Sequence, residues 1–152
     1  MFAHKIELIK KSMPHAFIGV DVIVGFNGET VEHYNESKSF LDSLDVTRLH
    51  VFPYSPRPNT AALAIKPYVQ SAEKKRRTED LISLSDSKIK AFYEKNIGKK
   101  AKVLWEESSD NKKMYGFTDN YVRVVSEYDP SLINKIQEVT LGDFEGECLT
   151  IQ

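Results

Sequence analysis

Residues 17–24 read FIGVDVIV, an almost continuous β-branched run that ends on the turn-forming Gly25, Asn27 and Gly28. Such a run is the pattern of a strand covered on both faces, as in parallel sheets flanked by helices. The residues that follow supply a helix. Thr30 can cap its first turn, and Val31, Tyr34, Leu41 and Leu44 then fall on one stripe. Residues 49–54, LHVFPY, return to strand character. Two buried strands joined through a helix lie parallel, with a right-handed crossover. Upstream, Phe2, Ile6, Ile9 and Met13 recur at helical spacing until Pro14, which predicts a helix over 2–12.

Pro53, Pro56, Pro58 and Pro67 punctuate the next stretch, so residues 55–68 form an ordered loop with little regular structure. A long helix follows, with Ser71 as its cap, a buried stripe of Leu81, Ile82, Ser85, Ile89 and Phe92, and Gly98 at its termination. From Lys102 the pattern changes to five short β-like runs, KVLWEE, KMYGFTDN, YVRVVSE, KIQEVTL and CLTIQ. Ser-Ser-Asp-Asn, Asp-Pro-Ser and Gly-Asp turns separate them, and strands so spaced suggest a small closed barrel. There is no internal repeat and no low-complexity tract.

The 152 residues hold no apolar run near the roughly 20 residues of a membrane span and no secretory signal, so a cytoplasmic address without a membrane partner is expected. One cysteine, Cys148, excludes an intrachain disulfide, a cysteine zinc site and an iron–sulfur cluster held by this chain alone. It reads as a small buried hydrophobe. His4, His15, His33 and His50 lack ligand spacing, so no metal site is expected. No Ser-His-Asp arrangement or Walker-type loop can be placed. The net charge of −1 hides a partition: residues 64–100 carry 10 Lys and Arg against 5 Asp and Glu, and residues 101–152 the reverse, 5 against 10. A polyanion would meet the basic middle first, in particular Lys74, Lys75, Arg76 and Arg77; the alternative is a solvated helix face.

Four groups of residues carry chemistry. Gly25 and Gly28 can bring backbone close to a ligand at the carboxyl end of a strand, or simply make a tight turn. Phe52, Tyr54 and Ser55 can hold a nucleoside by stacking and hydrogen bonding, or the aromatics can be core. Arg57 could address a phosphate or carboxylate, or make a surface salt bridge. In the last third Tyr115, Phe117, Asn120, Tyr121 and Arg123 lie on adjoining strands with Lys112 and Lys113 at a turn, which suits base stacking beside phosphate contacts or, equally, the filling of a small barrel.

GVDVIVGFNGET at 19–30 with LHVFPYSPRPNT at 49–60 resembles the last strands of the catalytic barrel in radical-SAM tRNA methylthiotransferases, where the motifs usually read VIVGFPGET and HVFxYSxRPGT. AFYEKNIGKK at 91–100, WEES and YGFTDNYVRV resemble the connector and the terminal TRAM domain, so the resemblance covers nearly the whole chain. It departs at Asn27, where the family has proline, and at Asn59, where it has glycine. Within the family the likeness is greatest to the branch that methylthiolates N6-threonylcarbamoyladenosine beside the tRNA anticodon.

The resemblance implies an α/β plus all-β chain: part of a radical-SAM (β/α) barrel over 1–63, a loop and basic connecting helix over 64–97, and a five-stranded antiparallel TRAM barrel over 98–152. It implies that Ile23, Val24, Gly25, Phe52, Tyr54 and Ser55 lie near S-adenosylmethionine, that Glu29 supports the turn, and that the anticodon region of a tRNA is the partner. It also implies a parent enzyme with two [4Fe–4S] clusters on cysteines this chain lacks, hence a fragment inactive by itself. A homo-oligomer joined through the exposed apolar edge of residues 1–63 is expected. A non-catalytic RNA-binding module and an adaptor using the long helix are the alternatives.

Overall fold

The computed structural model describes residues 1–108 and 112–152. They form two compact units, Met1–Ile89 and Lys90–Gln152.

The first unit begins with helix α1 (Phe2–Ser12), as the spacing predicts. Strand β1 (Gly19–Val24) and strand β2 (Arg48–Pro53) pair in parallel through helix α2 (Val31–Ser43), which confirms the strand–helix–strand unit. The Thr30 side chain accepts from the His33 amide, satisfying one of the free donors of the first turn of α2. Residues 55–70 are irregular apart from a 3-10 turn at Ala61–Ala64. Helix α3 (Ser71–Glu94) follows, with Ser71 as its first helical residue.

Val20, Val22 and Val24 of β1 face a core made with Ile6, Tyr34, Leu41, Leu44, Val46, Leu49 and Leu81. The opposite face of the sheet is open: Ile23 is 62% and Phe52 52% exposed. The expected cover on both faces is thus corrected, because the helices of this chain pack on one side only. Two stripe residues also fall outside. Val31 and Ile82 are exposed, the packed line of α3 running instead through Arg77, Leu81, Ser85 and Phe92.

The second unit holds the last turn of α3 and a closed barrel in the order β3-β4-β5-β7-β6. Its strands are β3 (Lys100–Trp105), β4 (Lys113–Thr118), β5 (Arg123–Glu127), β6 (Ile136–Glu145) and β7 (Cys148–Ile151). All five expected strands are present. The barrel is mixed rather than antiparallel, since β5 closes onto β7 in parallel at Val124 and Leu149. Of the Ser-Ser-Asp-Asn turn expected between β3 and β4, residues 109–111 lie outside the described residues. Val103, Trp105, Met114, Val122, Val124, Leu141 and Leu149 are fully buried and fill the interior. Cys148 is buried, and burial pushes its thiol up from the ordinary range.

Candidate functional site

The turn after β1 is built for close approach. Gly25 (φ +76°) and Gly28 (φ +87°) adopt left-handed backbone that disfavours side chains, and a Cβ on Gly25 would meet the Lys74 side chain at 2.6 Å. The Gly25 amide donates to Glu29 Oε2 at 2.8 Å, so Glu29 supports the turn as the resemblance implies. Asn27 is buried, and its side-chain amide donates to the Ala62 carbonyl at 2.9 Å while the Gly28 amide donates to the Pro67 carbonyl at 2.8 Å. These two bonds fold the proline-rich loop onto the turn.

At the carboxyl ends of the strands, register places Ile23 beside Phe52 on the open face. Val24 points into the core, and its carbonyl accepts from the Tyr54 amide at 2.8 Å. The half-buried Tyr54 ring meets Phe26 edge-on at 4.7 Å, and the Lys74 ammonium lies 5.2 Å from its centroid. Ser55 and Arg57 are exposed. An apolar floor of Ile23 and Phe52 beside an aromatic corner of Phe26 and Tyr54 suits the flat face of a nucleobase. Sequence reading missed Phe26, although it stands within the glycine motif itself.

The basic run is largely engaged within the first unit. Arg77 is 3% exposed; its Nε donates to Glu73 at 2.7 Å and its Nη1 to Glu29 Oε2 at 2.6 Å. Burial alone would depress its guanidinium, but Glu73 and Glu29 override that and push it up. Arg76 makes a bidentate pair with Glu73, whose carboxyl is held down at about 2 by hydrogen bonds from Arg76 and then Arg77. Lys74 donates to the Tyr54 carbonyl at 3.3 Å. Lys75 is exposed and loosely paired with Glu79. Beside this cluster the Tyr34 hydroxyl donates to Asp80 at 2.6 Å and Lys38 reaches the same carboxylate at 2.7 Å. Lys38, and then Tyr34, keep the Asp80 carboxyl below its usual range.

On the barrel, register aligns Ile136, Leu104, Phe117 and Arg123 in one outward row across β6, β3, β4 and β5. Ile136 is 68% and Leu104 48% exposed. Phe117 is half-buried, with the exposed Tyr121 ring 6.5 Å away, and the Arg123 guanidinium stacks 5.0 Å over Tyr115. Asn120 donates to Asn96 at 3.2 Å and accepts from Thr118 at 2.7 Å. Lys113 pairs with Glu145, and Lys112 is exposed. These aromatics do not fill the barrel; they form an outer apolar surface with a guanidinium at its edge. Leu104 and Ile136 are additions to the sequence-derived set; Leu104 is signalled by the unbroken apolar triplet Val103-Leu104-Trp105, which forces one large side chain outward, whereas Ile136 joins it only through the β3–β6 register.

Among the described residues no group of three His, Cys, Asp or Glu side chains is placed to hold a metal ion, and no helix is long and apolar enough to cross a membrane. No family model matches the chain. Among curated proteins it is 35% identical over 144 residues to a threonylcarbamoyladenosine tRNA methylthiotransferase of Bacillus subtilis, covering 92% of this chain and 32% of that protein. This chain is a methylthiotransferase relative. A threonylcarbamoyladenosine tRNA methylthiotransferase of Aquifex aeolicus is 38% identical over 122 residues, 80% of this chain and 28% of its own. A tRNA-2-methylthio-N(6)-dimethylallyladenosine synthase of Sulfurihydrogenibium is 32% identical over 143 residues, 92% and 32% respectively. The chain thus spans about a third of the length of the curated relatives it matches.

Proposed function

We propose that this chain is the carboxyl-terminal part of a radical-SAM tRNA methylthiotransferase acting on N6-threonylcarbamoyladenosine, supplying part of the cofactor pocket and the surface that docks tRNA in the cytoplasm. The observation that carries the reading is the match over 92% of the chain to the Bacillus subtilis protein, which requires sequence from both the strand–helix–strand unit and the barrel to align. On this reading 1–63 belongs to the catalytic barrel, 64–97 connects, and 98–152 is the TRAM domain.

Ile23, Phe52 and Tyr54 would hold the adenine of S-adenosylmethionine, with Val24 and Gly25 contributing backbone and Ser55 a hydroxyl. The cofactor, when bound, supplies the radical chemistry of such enzymes. The cluster that chemistry requires does not fit this chain, whose single cysteine is buried in the barrel. Anaerobic reconstitution with iron and sulfide should therefore give no stoichiometric [4Fe–4S] absorbance, and one cluster per chain would overturn the assignment.

The direct test is complementation. Co-expressed with the remaining two thirds of the Bacillus subtilis relative in cells lacking that enzyme, the chain should restore the methylthiolated nucleoside, read by mass spectrometry of digested tRNA. Soluble, associated halves that give no product would sink the reading. Restoration on the dimethylallyl nucleoside instead would move the branch.

The open sheet edge gives a proposal for self-association. The carbonyls of Ile18 and Val24 face β2, so the backbone groups of Asp21 and Ile23 face away along the outer edge of β1. The outer edge of β2 is blocked near both ends: the Ser85 hydroxyl bonds both the amide and the carbonyl of Leu49 at 3.0 and 3.1 Å, and Pro53 has no amide to offer. Chains should then associate through β1 into a dimer, and Ile23→Lys should return it to monomer. Light scattering that shows a monomer at high concentration for the unaltered chain would refute this.

A further inference from the structure

We infer that Arg77 is a positioning residue for the nucleoside site, acting through Glu29 to fix the turn at Gly25. The inference rests on the reading of that turn as part of a nucleoside pocket. Glu29 Oε2 is shared: it accepts from Arg77 Nη1 at 2.6 Å and from the Gly25 amide at 2.8 Å, and the same Nη1 also donates to the Glu29 carbonyl at 3.1 Å. One guanidinium therefore fixes both the side chain and the backbone of the residue that holds Gly25.

Glycine is the residue whose backbone most needs such fixing, since it samples left- and right-handed conformations with equal ease. A Gly25 released from φ +76° would carry Phe26 away from Tyr54 and change the wall a nucleobase meets. The guanidinium is itself held from a third side, by Glu73 at 2.7 Å, so its direction is set by α3 rather than by the turn it serves. Its planar fork is suited to two carboxylates at once, a geometry the single ammonium of lysine does not reproduce. Arg76, the next residue, shares Glu73 but has no bond to Glu29, which makes it the natural control.

The test compares the unaltered chain with Arg77→Lys, Glu29→Gln and Arg76→Gln. Amide exchange by NMR reads the turn directly, and titration with S-adenosylhomocysteine by saturation transfer and chemical shift reads the site, with an adenosine that needs no cluster. Arg77→Lys should speed exchange at Gly25 and weaken S-adenosylhomocysteine binding, each by about tenfold, the lower end of what losing an orienting partner costs in metal sites. Core amides of β2 should keep their protection, and Arg76→Gln should leave both readouts unchanged. If Arg77→Lys does not fold, Glu29→Gln carries the same expectation, because it keeps an acceptor for Gly25 but removes the charge that Arg77 holds. Unchanged exchange at Gly25, or unchanged affinity in a loosened variant, overturns the inference alone. Absence of S-adenosylhomocysteine binding by the unaltered chain overturns the nucleoside reading and this inference with it.

Discussion

Trp105→Ala should unfold the second unit. The side chain is fully buried in the barrel, and its indole N–H donates to Gln137 at 2.9 Å, so truncation both opens a large cavity and leaves a half-buried amide without its donor. Tryptophan-to-alanine changes in cores cost about 3–5 kcal/mol, which approaches the whole stability, on the order of 5 kcal/mol, of a unit this small. Gly116→Ala attacks the same place from the opposite direction. Gly116 pairs with Trp105 across β3 and β4, and an added Cβ would lie 2.5 Å from the Leu104 carbonyl oxygen and 2.6 Å from Val103 Cγ1. The first of these contacts is with backbone, which cannot rotate aside, so the cost should reach or exceed the upper end of the usual 1–3 kcal/mol for overpacking. Circular dichroism melts follow the first variant, and the fluorescence of the single tryptophan follows the second. Either variant melting within a few degrees of the unaltered chain would show that the barrel tolerates repacking at its most enclosed layer.

The layout of the chain was legible because it rests on local periodicity. The helix over 2–12, the Thr30 cap, the parallel pair around α2 and the five barrel strands each follow from residues within a few positions of one another. What could not be read is decided by distant partners. The run at 74–77 looks like a polyanion surface in sequence, yet the partner that draws Arg77 inward, Glu29, lies 48 residues away. Ser85 looks like an ordinary polar member of a helical stripe, and only folding shows it closing the edge of β2 from 36 residues away. The parallel closure of β5 on β7 depends on which strands meet last, which no alternation within either strand encodes. For the candidate sites, the glycine turn and the Phe52 and Tyr54 pair were each legible within their own motif, whereas Phe26 was missed because its partner Tyr54 stands in the other motif. The outward row of Ile136, Leu104 and Phe117 was found only in part, because register across three strands brings it together.

On the proposed reading that the chain docks tRNA, that distribution of charge decides how binding should respond to substitution. Tyr121→Ala should lower affinity for an anticodon stem-loop by about 1–3 kcal/mol, the usual contribution of one stacked base, which is roughly 5- to 150-fold. Tyr121 is 65% exposed and already at φ +61°, so alanine keeps the same backbone demand and the barrel melt should not move. Phe117→Ala should act in the same direction, with a melt to check it because that ring is half-buried. The salt dependence should be shallow and unaltered in both, since neither residue neutralises a phosphate. Replacing all of Lys74, Lys75, Arg76 and Arg77 would not isolate an electrostatic footprint: it strips Glu29 and Glu73 of their partners, and breaking a buried pair costs about 3–5 kcal/mol of stability. The informative charge variant is Lys75→Gln with Lys112→Gln, two exposed cations whose loss should flatten the salt slope by at most about 0.9 per phosphate released. A steep slope that survives this double change, together with full affinity in folded Tyr121→Ala and Phe117→Ala, would mean that RNA is held by another surface.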